Sequence, residues 1–415
     1  MPFSKSTFAR TPGGRTLRRV LLALAGIAVG ALGSHFIPLP KHDAALASEV
    51  GTPVRPGPWG ELYSVPFTIS APEELLPVRA IESGGTRWFF KGFSLPQLER
   101  FLNAAGVPSS LSTALMASTR EITGADGVEM APPVQAVIAL PDSARQKIYK
   151  RLAQFPENRS SFFHFHKDTL AERMRADSLS EKTIALFQKL SVEHEGYLVL
   201  GGLPALLAEI PSPEEKLRLL KSLTRQRTML LRLRVSKDSD LAALAKYWGK
   251  GIFATNARSV LESLAEVPGG TFCGILAILP PIPSAQAYNY PVTLDPQSHS
   301  LLLGHDCHWT SLNFFRDTMD PQATDAANFT AELAASYRAV SDDHRFGDVL
   351  VMAKPDGEIV HSAILIADDI FFTKNGSTNI YPWMFARLPD LLEQYSFLAP
   401  EGQQLTLRYF RNKGM

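Results

Sequence analysis

Two cysteines, Cys273 and Cys307, and ten histidines are the residues of this 415-residue chain best suited to nucleophilic or metal chemistry. Cys307 sits in the block Gly304-His305-Asp306-Cys307-His308-Trp309-Thr310-Ser311-Leu312-Asn313-Phe314-Phe315. Asp306 is a good helix N-cap, and Trp309, Leu312 and Phe315 recur at helical spacing, so Cys307 is expected in the first turn of a mostly buried helix. A helix N-terminus favours an anion, so a thiol there is expected to ionise more readily than a free one. Cys273 lies instead within the apolar run Thr271 to Leu279, read as one strand in which a cysteine is ordinary core.

A thiolate nucleophile needs a base. Downstream, Phe346-Gly347-Asp348-Val349-Leu350-Val351-Met352 reads as a strand entered through Gly-Asp, and Pro355-Asp356-Gly357 as a turn. His361 then interrupts the apolar strand Ile359 to Ile366, Asp368-Asp369 turns the chain, and Ile370 to Thr373 returns. A lone histidine on such a strand is more often structural than catalytic. A cysteine opening a helix followed by a hairpin with one central histidine raises the catalytic reading, since it lets a thiolate meet an imidazole. A hairpin centred on Asp368 sets Asn375 opposite His361, and one centred on Ala367 sets Thr373 there. An amide oxygen is the better acceptor for an imidazole N–H, so Asn375 is preferred as orienting residue, with Thr373 the alternative. His305, Cys307 and His308 also suggest zinc, but their spacing splays the ligands across a helix start, and neither metal nor cofactor is expected.

Asp306-Cys307 opening a helix, Gly347-Asp348 opening a strand and His361 within His361-Ser362-Ala363-Ile364-Leu365 resemble the NlpC/P60 family of cell-wall peptidases over roughly residues 288–415. In that family a D-C-S-G motif, a G-D-L strand and an H-V-G-I strand follow in the same order. The resemblance implies a papain-like fold, with Cys307 as nucleophile, His361 as base and a third polar residue, acting on peptide stems of peptidoglycan. The family's Ser-Gly after the cysteine is His308-Trp309 here, and its Gly after the histidine is Ala363. Tyr288 or Tyr290 matches the family's upstream tyrosine at a longer distance; Tyr290 and His308 are the candidates for oxyanion or substrate contacts.

The rest of the chain must position these residues. Hydrophobic residues make up 45% and charged residues 20%, enough apolar material for a real core. A formal charge of +1 gives no global reason to expect nucleic acid as a partner. Lys5, Arg10, Arg15, Arg18 and Arg19 precede the apolar run Val20 to Gly33, the pattern of a secretory signal. The run extends to Ile37, so membrane anchoring through residues 20–37 is the alternative. Without the first 33 residues the chain holds 37 Lys and Arg against 41 Asp and Glu. The expected organisation is a signal peptide or signal anchor at 1–33, a linker at 34–60, a mixed α/β domain at 61–284 and a papain-like domain at 285–415, α+β overall. Pro280-Pro281-Ile282-Pro283 marks the boundary.

Within 61–284, Ser94 to Ala105 reads as a helix with a Ser94/Gln97 capping box and a stop at Gly106. Asp142 to Phe155 reads as a helix capped by Asp142, and Ser212-Pro213-Glu214-Glu215 opens another. Leu231, Leu233 and Val235 alternate with Arg232 and Arg234 as a half-exposed strand. With Arg225, Arg227 and Lys237 these arginines form a basic cluster read as a solvated face. His164 and His166, at strand spacing, lack a metal-type neighbour and are read as structural. The sequence-level expectation is therefore an exported thiol hydrolase of the cell envelope, in the periplasm or anchored facing outward, cleaving an amide bond in peptidoglycan or a related peptide. A thiol acyltransferase or lipid-directed amidase of the same fold is one alternative. The other is a non-catalytic envelope scaffold with a Cys273–Cys307 disulfide and His361 in its core.

Overall fold

The computed structural model describes residues 51–415 apart from 123, 125, 156–157, 159–162, 167–173, 175–176, 195, 292–304, 319–325, 377, 401 and 415. The segments read as leader and anchor lie outside the described residues. Among the described residues no helix is long and apolar enough to cross a membrane. The fold is mixed α and β.

Local signals set many elements directly. Ser94 and Gln97 close a capping box on helix Leu95–Ala105, and Gly106 takes the left-handed conformation that ends it. Ser212 Oγ accepts from the Glu215 amide at 3.2 Å and starts helix Pro213–Thr224. Asp142 falls inside the first turn of helix Asp142–Ala153 rather than capping it, because Pro141 takes the N-cap position. The run from Thr271 is strand only to Gly274 and then tightens into a 3-10 turn at Ile275–Ala277.

Two large cores form, and they do not divide the chain at residue 284. Strand Leu62–Ile69 pairs antiparallel along its full length with strand Gln226–Val235, from Leu62 opposite Leu233 to Ile69 opposite Gln226. The chain between them leaves and returns at one place, and most of it packs on itself. Trp88, Phe90, Leu98, Leu102, Ile148, Leu152, Phe187 and Leu206 fill that first core. Leu231, Leu233, Val235 and Cys273, which precede the expected boundary, instead share a second core with Trp309, Ile364, Phe372, Trp383 and Phe385. The arginines between them point outward, and Arg227 pairs with Glu393 at 3.0 Å across from the C-terminal segment.

The C-terminal part begins with helix α1 (Cys307–Asn313), followed by α2 (Ala326–Ser336). Strands β1 (Tyr337–Val340), β2 (Val349–Ala353), β3 (Ile359–Ala367), β4 (Ile370–Lys374), β5 (Trp383–Arg387) and β6 (Thr406–Asn412) make one sheet in the order β1-β6-β2-β3-β4-β5. Every neighbouring pair is antiparallel. Ile364, Ile366, Phe372 and Phe385 join the second core. The alternate residues Ala363, Leu365, Phe371 and Met384 pack with Leu391 and Tyr395 of helix α3 (Leu388–Tyr395). Both faces are thus covered, which explains why β2 reads as an unbroken apolar run and why β4 is buried along its whole length. Asp348, at the entrance of β2, is buried and receives both Arg411 Nε and Nη2 at 2.7 Å. Gly347 before it holds φ 93°, a conformation that costs glycine little.

Candidate active site

Asp306 caps α1 as expected, its Oδ1 accepting from the Trp309 amide at 2.8 Å. Trp309 is fully buried, and Thr310 accepts from the Trp383 indole at 2.9 Å, tying the helix to β5. The first turn docks on β3. Ser362 Oγ donates to the Cys307 carbonyl at 3.1 Å and lies 2.9 Å from Ser311 Oγ and 3.0 Å from His308 Nδ1. Cys307 is therefore held at the strand that carries His361.

His361 is wholly buried, and its ring stacks on Tyr395 with centroids 4.1 Å apart. Thr373 Oγ1 lies 3.2 Å from His361 Nε2 and donates to the Ser362 carbonyl at 3.0 Å. A threonine hydroxyl has one proton, and Ser362 receives it, so Nε2 must be the donor to Thr373. The neutral imidazole then carries its lone pair on Nδ1, the nitrogen that has no hydrogen-bond partner among the described residues. Burial, and secondly His308 whenever it is protonated, pushes the His361 pKa well below its ordinary value, so the neutral form is the resting one.

The same proton count separates the two histidines nearest the thiol. His308 Nδ1 is 3.8 Å from Cys307 Sγ. Ser362 spends its own proton on Cys307, so His308 Nδ1 donates to Ser362 and has no lone pair left for the thiol. Among the described residues, no hydrogen bond joins Cys307 Sγ to His361.

The thiol departs from the sequence expectation. Cys307 is 5% exposed, and its pKa is pushed up to about 12, first by burial and then by the Asp306 carboxylate. Helix α1 has only seven residues, so its N-terminus is a weak counterweight to that desolvation. A hydrogen bond from the Ser362 backbone and the charge of Lys374 act the other way. At rest the Cys307 thiol and the His361 imidazole are both neutral. Both cysteines are free and buried; Cys273 is also raised by burial.

The β3–β4 register sets Ile364 opposite Phe372 and Leu365 opposite Phe371, the arrangement centred on Asp368. That register favoured Asn375, yet Asn375 lies past the end of β4, with its amide engaged by Gln226 at 2.9 Å and Tyr395 at 3.3 Å. Thr373 is the residue on His361. Tyr290 packs on the first core, and its buried hydroxyl has no hydrogen-bond partner among the described residues. Tyr288 donates to the Met229 carbonyl at 2.7 Å and packs in the second core.

Asp306, Cys307 and His308 have donor atoms within 4.8 Å of one another. Asp306 Oδ1 is engaged in capping and His308 Nδ1 at Ser362. The His305 ring packs at a tilt of 32° against Trp309, with centroids 3.9 Å apart. The side chains of His164 and His166 lie outside the described residues. A cavity of about 340 Å³, lined in part by Leu76, Ile81, Leu203, Leu220 and Ile380, includes none of the candidate residues.

One residue at the site went unread in the sequence. Lys374 is fully buried at the end of β4, opposite Trp383. Its place in Ile370-Phe371-Phe372-Thr373-Lys374 was the available signal, because alternation puts it on the same face as the core residue Phe372.

No family model, curated protein or solved structure matches the chain. The resemblance to NlpC/P60 peptidases therefore rests on the residues themselves.

Proposed function

We propose that the protein is a cysteine hydrolase of papain-like architecture that cleaves an amide bond, with Cys307 as nucleophile, His361 as base and Thr373 orienting the imidazole. The carrying observation is the His361 ring: Nε2 is engaged by Thr373, and Nδ1 is buried without a partner among the described residues, on the strand that grips Cys307. Buried polar atoms rarely go unpaired without a reason, and a base awaiting a proton is such a reason. Cys307 Sγ–H gives its proton to Nδ1 as sulfur attacks the substrate carbonyl. The imidazolium returns the proton to the departing amine, leaving a thioester that water hydrolyses with the same ring as base. With the thiol 5% exposed, substrate entry requires the side chains over Cys307 to shift.

The order of the Asp306-Cys307, Gly347-Asp348 and His361 motifs supports peptidoglycan stem peptides as the substrate. The basic and apolar pattern of the first 33 residues supports export to the envelope, with cleavage or anchoring there. The test is mass spectrometry of peptides released from purified sacculi by the full chain. Wild type should release stem fragments, and Cys307→Ala and His361→Ala should release none while melting normally. Release by Cys307→Ala would overturn the reading. Acyl transfer to an added amine in place of hydrolysis would indicate the transferase alternative.

A further inference from the structure

Lys374 has no exposed surface, and among the described residues its ammonium donates to two backbone carbonyls, Gly376 at 2.8 Å and Thr378 at 2.9 Å. Among the described residues no carboxylate lies within ion-pair distance of it. Burying an ammonium without a carboxylate is costly, and a methionine or leucine would fill the same volume without that cost. The strand geometry gives the charge a use. Lys374 follows Thr373, the residue on His361, and pairs across the sheet with Trp383, whose indole binds Thr310 of the cysteine helix. On β3 the opposing side chain of that helix is Ser362, which holds Cys307.

We propose that Lys374 is a positioning residue for the reaction at Cys307: its ammonium supplies the positive charge that stabilises the thiolate formed when the thiol proton passes to His361 Nδ1. The inference rests on the cysteine-hydrolase reading above. No proton leaves Lys374 in the step; the S–H bond breaks, an N–H bond forms at Nδ1, and the negative charge on sulfur is left near a fixed cation. The other ionisable groups around the thiol cannot supply that charge. Asp306 opposes it, His305 and His308 are held neutral by burial, His361 receives the proton, and the Tyr395 hydroxyl is pushed further from ionising by burial and then by Cys307. Burial lowers the Lys374 pKa to about 8, so the ammonium is present at neutral pH and is lost on mild alkalinisation.

The experiment is iodoacetamide alkylation of Cys307 against pH in the full chain carrying Cys273→Ala, which needs no substrate. With Lys374 unchanged, the rate should rise with pH as the thiolate fraction grows and rise less steeply above about pH 8, where the ammonium is lost. Lys374→Met should lower the rate below about pH 8 about tenfold or more, the effect of removing one nearby opposite charge. Lys374→Arg should restore most of it. Lys374→Gln, which can still donate to both carbonyls but carries no charge, should behave as Met does and stands in if Met does not fold. A folded Met or Gln variant alkylated as fast as its Lys374 parent would overturn the proposal. His361→Ala in the same assay separates the two ideas: slowing there with no effect at Lys374 keeps the hydrolase reading and removes this one.

Discussion

Thr373→Val tests the geometry at its most specific point. Valine keeps the volume of a residue with no exposed surface and deletes only the hydroxyl. Two contacts go, the one to His361 Nε2 at 3.2 Å and the one to the Ser362 carbonyl at 3.0 Å. A buried hydrogen bond is worth about 1 kcal/mol net, and leaving its partner unsatisfied costs about 1–3 kcal/mol. Stability should therefore fall by about 2–4 kcal/mol, read from urea unfolding followed by tryptophan fluorescence. The catalytic effect is separate. Without Thr373 as acceptor nothing fixes the proton on Nε2, so the lone pair is no longer held on Nδ1. Losing an orienting hydrogen bond of this kind should lower turnover about tenfold to a hundredfold. Thr373→Ser keeps the hydroxyl and should recover most of the turnover while remaining somewhat less stable for its lost methyl. Asn375→Ala should loosen the contacts to Gln226 and Tyr395 with a smaller effect on turnover. Full activity in folded Thr373→Val, or a greater turnover loss in Asn375→Ala, would refute the assignment of Thr373.

Stability should respond to alkali through Lys374. Its folded pKa of about 8 lies below the ordinary 10.5, so between those values the unfolded chain binds more protons and stability rises with pH. The total is about 2–4 kcal/mol. The raised Cys307 thiol acts oppositely, losing stability between pH 9 and about 12, so chemical unfolding should be followed in Cys307→Ala. A rise that persists after adding Lys374→Met would assign it to another group. Arg411→Ala leaves the buried Asp348 carboxylate without its bidentate partner and should cost about 3–5 kcal/mol by urea unfolding, whereas a cost under about 1 kcal/mol would make the pair dispensable.

What the sequence determined is what near neighbours decide. The Ser94/Gln97 box, the Ser212 and Asp306 caps and the turn at Asp368-Asp369 are interactions within a few residues, legible wherever the rest of the chain goes. The alternation of Leu231, Leu233 and Val235 with arginine likewise follows from the two-residue repeat of a strand with one wet face. Cys307 on a helix start and His361 on a strand were readable on those terms. Which side chain holds the imidazole was not, because register put Asn375 in line while Gln226 and Tyr395, distant in sequence, engage its amide and leave His361 to Thr373. The pairing of Leu62–Ile69 with Gln226–Val235, which sets off the first core, joins segments with more than a hundred and fifty residues between them, and no local pattern carries it. The charge state of the site also waited on tertiary structure. Helix position alone argues for a thiolate at Cys307, but desolvation depends on everything packed around it. That packing raises the thiol, lowers the imidazole and leaves Lys374 as a buried cation.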